Sequence, residues 1–150
     1  MNALLRGAIS GAIATVPMTV PILAAQRLGL FRTPPPEQIS DKVAWYSNFL
    51  PERSEPGFTP VWLGAHLGYG AACGAIYTLA RPVLPGPGPV AGVLFGGAVW
   101  GVGYLGFLPA LDLYPAPEDD ATPRTATMIL AHAVFGIALA TLDQRLRLRG

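Results

Sequence analysis

Ala65-His66-Leu67-Gly68-Tyr69-Gly70-Ala71-Ala72-Cys73-Gly74-Ala75-Ile76-Tyr77-Thr78-Leu79-Ala80-Arg81 is an apolar run with one histidine, small residues at helical spacing and an arginine where it ends. The apolar character begins upstream at Phe58. A run of that length is too long for a strand and fits a helix. The pattern returns 66 residues later (132 − 66) as Ala131-His132, Phe135-Gly136, Ala138, Ala140 and Arg147. Two histidine-bearing helices therefore frame the reading of the rest.

The 150 residues are 51% hydrophobic and only 13% charged. That charged share is about half of what soluble domains carry. The charges also gather between the apolar runs, which indicates a membrane class. A net charge of +1 with no basic stripe speaks against a nucleic-acid partner. The single cysteine, Cys73, rules out an internal disulfide and a CxxC site.

A hydrocarbon core of ~30 Å takes about 20 apolar helical residues. Four segments approach that length: 7–26, 58–80, 90–111 and 125–142. Because a spanning segment must satisfy its own backbone, each is expected to be a helix. The expected fold is all-α: one integral membrane domain over 1–150, a four-helix transmembrane bundle. The first segment has a poor small-x-small cleavage site and reads as a retained span. It holds Pro17 and Pro21, with Thr15 and Thr19 near enough to serve the freed carbonyls of Ile13 and Pro17. A packed kink and an opened backbone lining a polar cavity are the two readings there.

Residues 27–57 form a long connection. Thr33 before Pro34-Pro35-Pro36 suggests a capped helix start. Ile39, Val43, Tyr46, Phe49 and Leu50 then share a face, so a short amphipathic surface helix ending at Pro51 is expected, with Trp45 and Tyr46 at headgroup level. Residues 81–89 read as a tight turn and 112–123 as a solvated acidic loop. Four spans put both termini on one side. Basic residues are tied at five a side: Arg6, Arg81, Arg145, Arg147 and Arg149 against Arg27, Arg32, Lys42, Arg53 and Arg124. The arginines after the last span and the long acidic loops favour N-in/C-in in a bacterial cytoplasmic membrane.

Glycine pairs four residues apart recur: Gly7 and Gly11, Gly64 and Gly68, Gly70 and Gly74, Gly92 and Gly96, and Gly97 and Gly101. In lipid such residues let helix backbones approach closely. Gly88 and Gly92 echo Gly7 and Gly11, so the chain reads as two repeated helix hairpins related by a two-fold axis along the membrane normal. A chance match between alanine-rich helices is the competing reading.

His66 and His132 should sit at one depth, about 11–12 Å below the same surface. Ionisable groups at such depth face a bundle interior or a wet cavity. Tyr69 lies one turn from His66, and Trp100 and Tyr104 are one turn apart in the third segment. The candidate intramembrane polar site is His66, His132, Tyr69, Thr15 and Tyr104. Three readings stand for the histidines: neutral groups bonded to a neighbouring helix, a proton- or ion-passing pair, or bis-histidine ligation of a haem. Two histidines without nearby carboxylates make a poor metal site. Gly101-Val102-Gly103-Tyr104-Leu105-Gly106 matches GxGxxG but lies inside an apolar run followed by prolines, so it is not a dinucleotide fingerprint.

The turn 34–39, His66-x-x-Tyr69-Gly70, Phe95-Gly96 with Val99-Trp100 and Tyr104 through Pro109, and His132-x-x-Phe135-Gly136 resemble small bacterial inner-membrane proteins of unknown function, YagU-like in broad outline. The resemblance implies four spans and brings no catalytic residues. The expectation is a non-enzymatic membrane protein without a cofactor, passing a proton or small solute through a polar interior. The alternative is an accessory subunit that meets a second copy or another membrane protein through its glycine faces. The lipid bilayer is the expected partner in either case.

Overall fold

The computed structural model describes residues 1–149. Gly150, the end of the predicted tail, and the side chain of Arg149 lie outside the described residues. Among the described residues every regular element is helical: α1 (Ala3–Arg27), α2 (Pro35–Ser47), α3 (Phe58–Ala80), α4 (Gly88–Ala110) and α5 (Thr122–Arg149), with a 3-10 turn at Pro117–Asp119. α1, α4 and α5 are long and apolar enough to cross a membrane. α3 is as long as α4, at 23 residues, but falls short in hydropathy. His66, two tyrosines and four glycines dilute its apolar content.

The long helices run past the predicted limits. Arg6 lies within α1, and Asp143, Arg145 and Arg147 lie within α5. Asn2 caps the start of α1 by accepting from the Leu5 N–H at 2.8 Å, and Arg6 and Asp143 pair with each other at 2.8 Å, so the charges flanking two apolar runs satisfy one another. α1 also continues through Pro17 and Pro21. Its threonines do not serve the carbonyls freed by the prolines. Thr15 donates to the Gly11 carbonyl at 3.0 Å and Thr19 to that of Thr15 at 2.9 Å, because a hydroxyl reaches the carbonyl one turn behind it.

α1 packs along α3, α4 along α5, and α1 along α5. Glycines let the first two pairs reach backbone contact, but Gly64, Gly68, Gly97 and Gly101, expected to do the same, face open space because they lie on the opposite sides of their helices. A methyl group at Gly11 would collide with the Gly70 carbonyl and stand 2.8 Å from the Gly74 Cα. A methyl at Gly92 would collide with the Gly136 carbonyl and stand 2.9 Å from the Ala140 Cβ. The two contacts match by register: Gly11 and Gly92 differ by 81, and Gly70 and Gly136, like Gly74 and Ala140, differ by 66. Gly7 against Thr78 and Gly88 against Gln144 repeat the same offsets.

The fourth side of the assembly is different. α3 and α4 do not pack along their length. They meet through the rings of Tyr77 and Phe95, edge to face with centroids 5.2 Å apart. Beyond that contact they diverge, and α2 lies against α3 over the gap.

α2 departs from the expected helix in two ways. It starts at Pro35 with Pro34 at the cap position, and Thr33 makes no side-chain cap. Asn48 in the left-handed conformation ends it, before Pro51. Val43 and Tyr46 on its apolar face are exposed and Phe49 beyond its end is 81% exposed, whereas Ala44 is buried. Lys42 Nζ and Tyr46 Oη hold the Asp112 carboxylate at 3.1 and 3.0 Å, tying α2 to the end of α4. Outward faces of the long helices are apolar as well: Ile13, Val16 and Val20 on α1, Ile76 and Leu79 on α3, Val102 and Leu105 on α4, Ile129 and Leu130 on α5.

Candidate functional site

The gap between α3 and α4 is a partly open cavity of about 310 Å³. All five predicted site residues line it: Thr15 from α1, His66 and Tyr69 from α3, Tyr104 from α4 and His132 from α5. The two histidines therefore share one space. Sequence depth placed them at one level, but only the divergence of α3 from α4 opens a cavity between them. No Asp, Glu, Lys or Arg lines the cavity. Met18, Ile39, Val99, Met128 and Phe135 make its apolar walls. Cys73 lies at its inner end, and one turn further the Tyr77–Phe95 contact closes it.

The histidines do not bond neighbouring helices as the neutral-pair reading expected. His132 Nδ1 lies 2.8 Å from the Met128 carbonyl of its own helix. A carbonyl only accepts, so Nδ1 carries the proton and Nε2 presents a lone pair. His66 Nε2 is buried without a partner, and so is Trp100 Nε1. Buried polar atoms are seldom left this way. Two such atoms lining one cavity, from α3 and from α4, mark a place where a guest or a water completes the bonding.

Tyr104 is held more firmly. Its hydroxyl lies 2.9 Å from Asp120 Oδ2 and 2.8 Å from Thr125 Oγ1, and its ring stacks on Trp100 with centroids 5.3 Å apart. The Asp120 side chain is fully buried and also pairs with Arg124 at 3.1 Å. The predicted solvated loop thus sends one acid inward, because Tyr104, Arg124 and the Ala121 N–H supply the donors it needs. Tyr114 from the same loop lines the cavity, and burial pushes its phenol up to about 12.

Gly103–Phe107 is π-helical, with the Leu108 N–H bonding back to the Gly103 carbonyl. Pro109 lacks an N–H and its ring would crowd the carbonyl four residues earlier, and the wider turn relieves that conflict. The widened turn supplies Gly103, Tyr104 and Phe107 to the cavity. The glycines that spelled a false nucleotide motif thus accompany a local distortion at the site. The α2 residues in the wall, Pro35, Pro36 and Ile39 among them, were missed as site residues. Their signal was the triple proline, which starts α2 and places Pro35 and Pro36 in the cavity wall.

A second cavity, of about 400 Å³, lies at the opposite end of the helices, lined by Arg6, Thr78, Arg81, Pro82, Asp143 and Arg147. Among the described residues no group of three His, Cys, Asp or Glu side chains is placed to hold a metal ion. No curated protein and no solved structure matches the chain. The model of a family of unknown function, DUF6789, matches residues 1–149, and the chain belongs to that family.

Proposed function

We propose that this is a small non-enzymatic integral membrane protein that holds an uncharged, largely apolar small molecule in the cleft between α3 and α4. In this reading all four long helices span a bacterial cytoplasmic membrane as a bundle of two repeated hairpins, with both termini inside. α2 lies at the outer surface, where Trp45 and Tyr46 suit the headgroup level. The exposed apolar faces of the long helices support the setting, since lipid accepts what water would not. The lower hydropathy of α3 fits the same picture, because His66 and Tyr69 turn toward the cleft.

One observation carries the binding role: a side-opening cavity without a charged residue that nevertheless contains two imidazoles and an unpartnered indole N–H. Apolar walls with a few convergent polar groups are the usual form of a small-molecule site. An ionised ligand would find no counter-charge there and is disfavoured. The His132 Nε2 lone pair calls for a hydrogen-bond donor on the guest.

Native mass spectrometry of gently solubilised protein tests this. The wild type should carry a neutral adduct, Val99→Trp should lose it by filling the space, and His132→Ala should hold it more weakly. Equal occupancy in wild type and Val99→Trp defeats the reading. A passage for protons or small solutes is the second reading, favoured by the shared position of the histidines. It requires Tyr77 and Phe95 to part. Unchanged flux through proteoliposomes after replacing both histidines by alanine would remove it.

A further inference from the structure

Charge is divided unevenly between the two ends of the helices. The end holding α2 and the 111–121 loop carries five basic and eight acidic residues, a net of −3. The other end carries five basic residues and only Asp143, a net of +4, and the two sum to the +1 of the chain. Three of those arginines, Arg6, Arg81 and Arg147, converge with Thr78 on the second cavity, where Asp143 is the single acid.

The arginines are not equally engaged. Arg6 uses its Nε for Asp143, leaving both terminal nitrogens of the guanidinium. Arg81 donates from Nη1 to the Leu84 carbonyl and from Nη2 to the Gly86 carbonyl, both at 3.1 Å, which fixes the guanidinium over the turn. Arg147 has no ion pair among the described residues. Arg81 and Arg147 differ by 66, the register offset that also relates His66 to His132. The first hairpin therefore brings Arg6 and Arg81 to this cavity and the second brings Arg147, the register counterpart of Arg81.

We infer that this cavity is an oxyanion site that takes a phosphate group, and that the phosphate is carried by an anionic lipid headgroup. Two guanidinium charges remain after Asp143 neutralises one. Guanidinium groups match phosphate oxygens through paired N–H donors. The cavity lies where apolar helix surface gives way to charge, the level of the headgroups if the helices span, and basic pockets between spans favour such lipids. The site stands on the arginines and owes nothing to the cleft between α3 and α4.

The experiment measures binding of short-chain phosphatidylglycerol, short-chain phosphatidylcholine and inorganic phosphate to the full chain in an uncharged detergent. Phosphatidylglycerol should bind, and phosphatidylcholine should bind more weakly. Arg147→Gln should weaken phosphatidylglycerol binding about fivefold, the effect of one basic residue at a membrane surface. Arg27→Gln, the same charge change at the far end, should not. Val99→Trp should leave the binding intact, which separates this site from the cleft. Inorganic phosphate binding as tightly as the lipid would overturn the lipid source. Equal binding of the two lipids, or equal loss in Arg147→Gln and Arg27→Gln, would overturn the site. Circular dichroism of each variant confirms that the helices are retained, and Arg147→Lys should recover part of the affinity lost in Arg147→Gln.

Discussion

The contacts within the two hairpins resemble each other, and the contacts between the hairpins do not. Gly11 meets Gly70 and Gly74 in the first hairpin as Gly92 meets Gly136 and Ala140 in the second. Between hairpins, α1 packs along α5 and is pinned by Arg6 and Asp143, while α3 and α4 touch through Tyr77 and Phe95 and then separate. A duplicated pattern repeats its internal contacts because they depend on local spacing. It leaves the two faces between copies free to differ, and here one is filled and the other became a cavity.

The sharpest way to break the comparison is to push helices apart at the glycines. Gly136→Val and Gly11→Val each drive a branched side chain into backbone that has no rotamer to change. Each should cost about 3 kcal/mol or more, the upper part of the range for overpacking, read as a lowered melting temperature in detergent. Similar losses in both hairpins support equivalence of the two contacts. A large loss in one and none in the other would end it.

Asp143→Asn tests the filled face. The side chains of Arg6 and Asp143 are only 14% and 8% exposed, and removing one partner of a buried pair is costly. A loss of about 2 kcal/mol is expected, smaller than for a fully buried pair because the adjoining cavity admits solvent. Thermal unfolding monitored by circular dichroism reads it. Tyr104→Phe addresses the open face. It takes one donor from the buried Asp120 and should cost roughly 1–2 kcal/mol, with Asp120→Asn added to the same background costing less than it does alone.

Gly68→Ala and Gly97→Ala change glycines with nothing near the added methyl. Both should be neutral or stabilising by up to ~1 kcal/mol, which sets them against Gly11 and Gly136 and shows that contact, and not glycine content, holds the hairpins. The smallest effect belongs to the exposed clasp between α2 and α4. The Lys42 and then the Tyr46 hydrogen bond hold Asp112 below its ordinary carboxylate value of 3.8. The same bond to Asp112 raises Lys42 above 10.5. The lowered acid makes the clasp's contribution present above 3.8 and lost as pH falls through the depressed value. The raised base makes it present below 10.5 and lost as pH rises through the elevated one. Trp45 emission, read with Trp62 and Trp100 replaced by Phe, should stay level across neutral pH and change only outside those limits. A change near pH 6 would assign α2 to another anchor.

Much of this is legible in the sequence. Helix content, the limits 58–80 of α3 and the glycine spacing behind the close contacts all follow from spacing along one helix. The pairing of the ends of α1 and α5 was not readable, because Arg6 and Asp143 are 137 residues apart and meet only in the folded chain. Asp120 looked solvated because its donors, Tyr104 and Arg124, come from two other elements. The π turn was hidden behind a glycine pattern with a different usual meaning.

By itself the sequence determined which residues form helices and which faces of those helices come close, since both depend on neighbours three and four positions away. Only the tertiary structure decided that α3 and α4 part beyond Tyr77 and Phe95, that α2 crosses the opening, and that two histidines and three arginines face shared spaces. Those outcomes depend on how far apart two already formed hairpins settle. That distance is set by the bulk of side chains meeting between them, which no spacing along a single helix encodes.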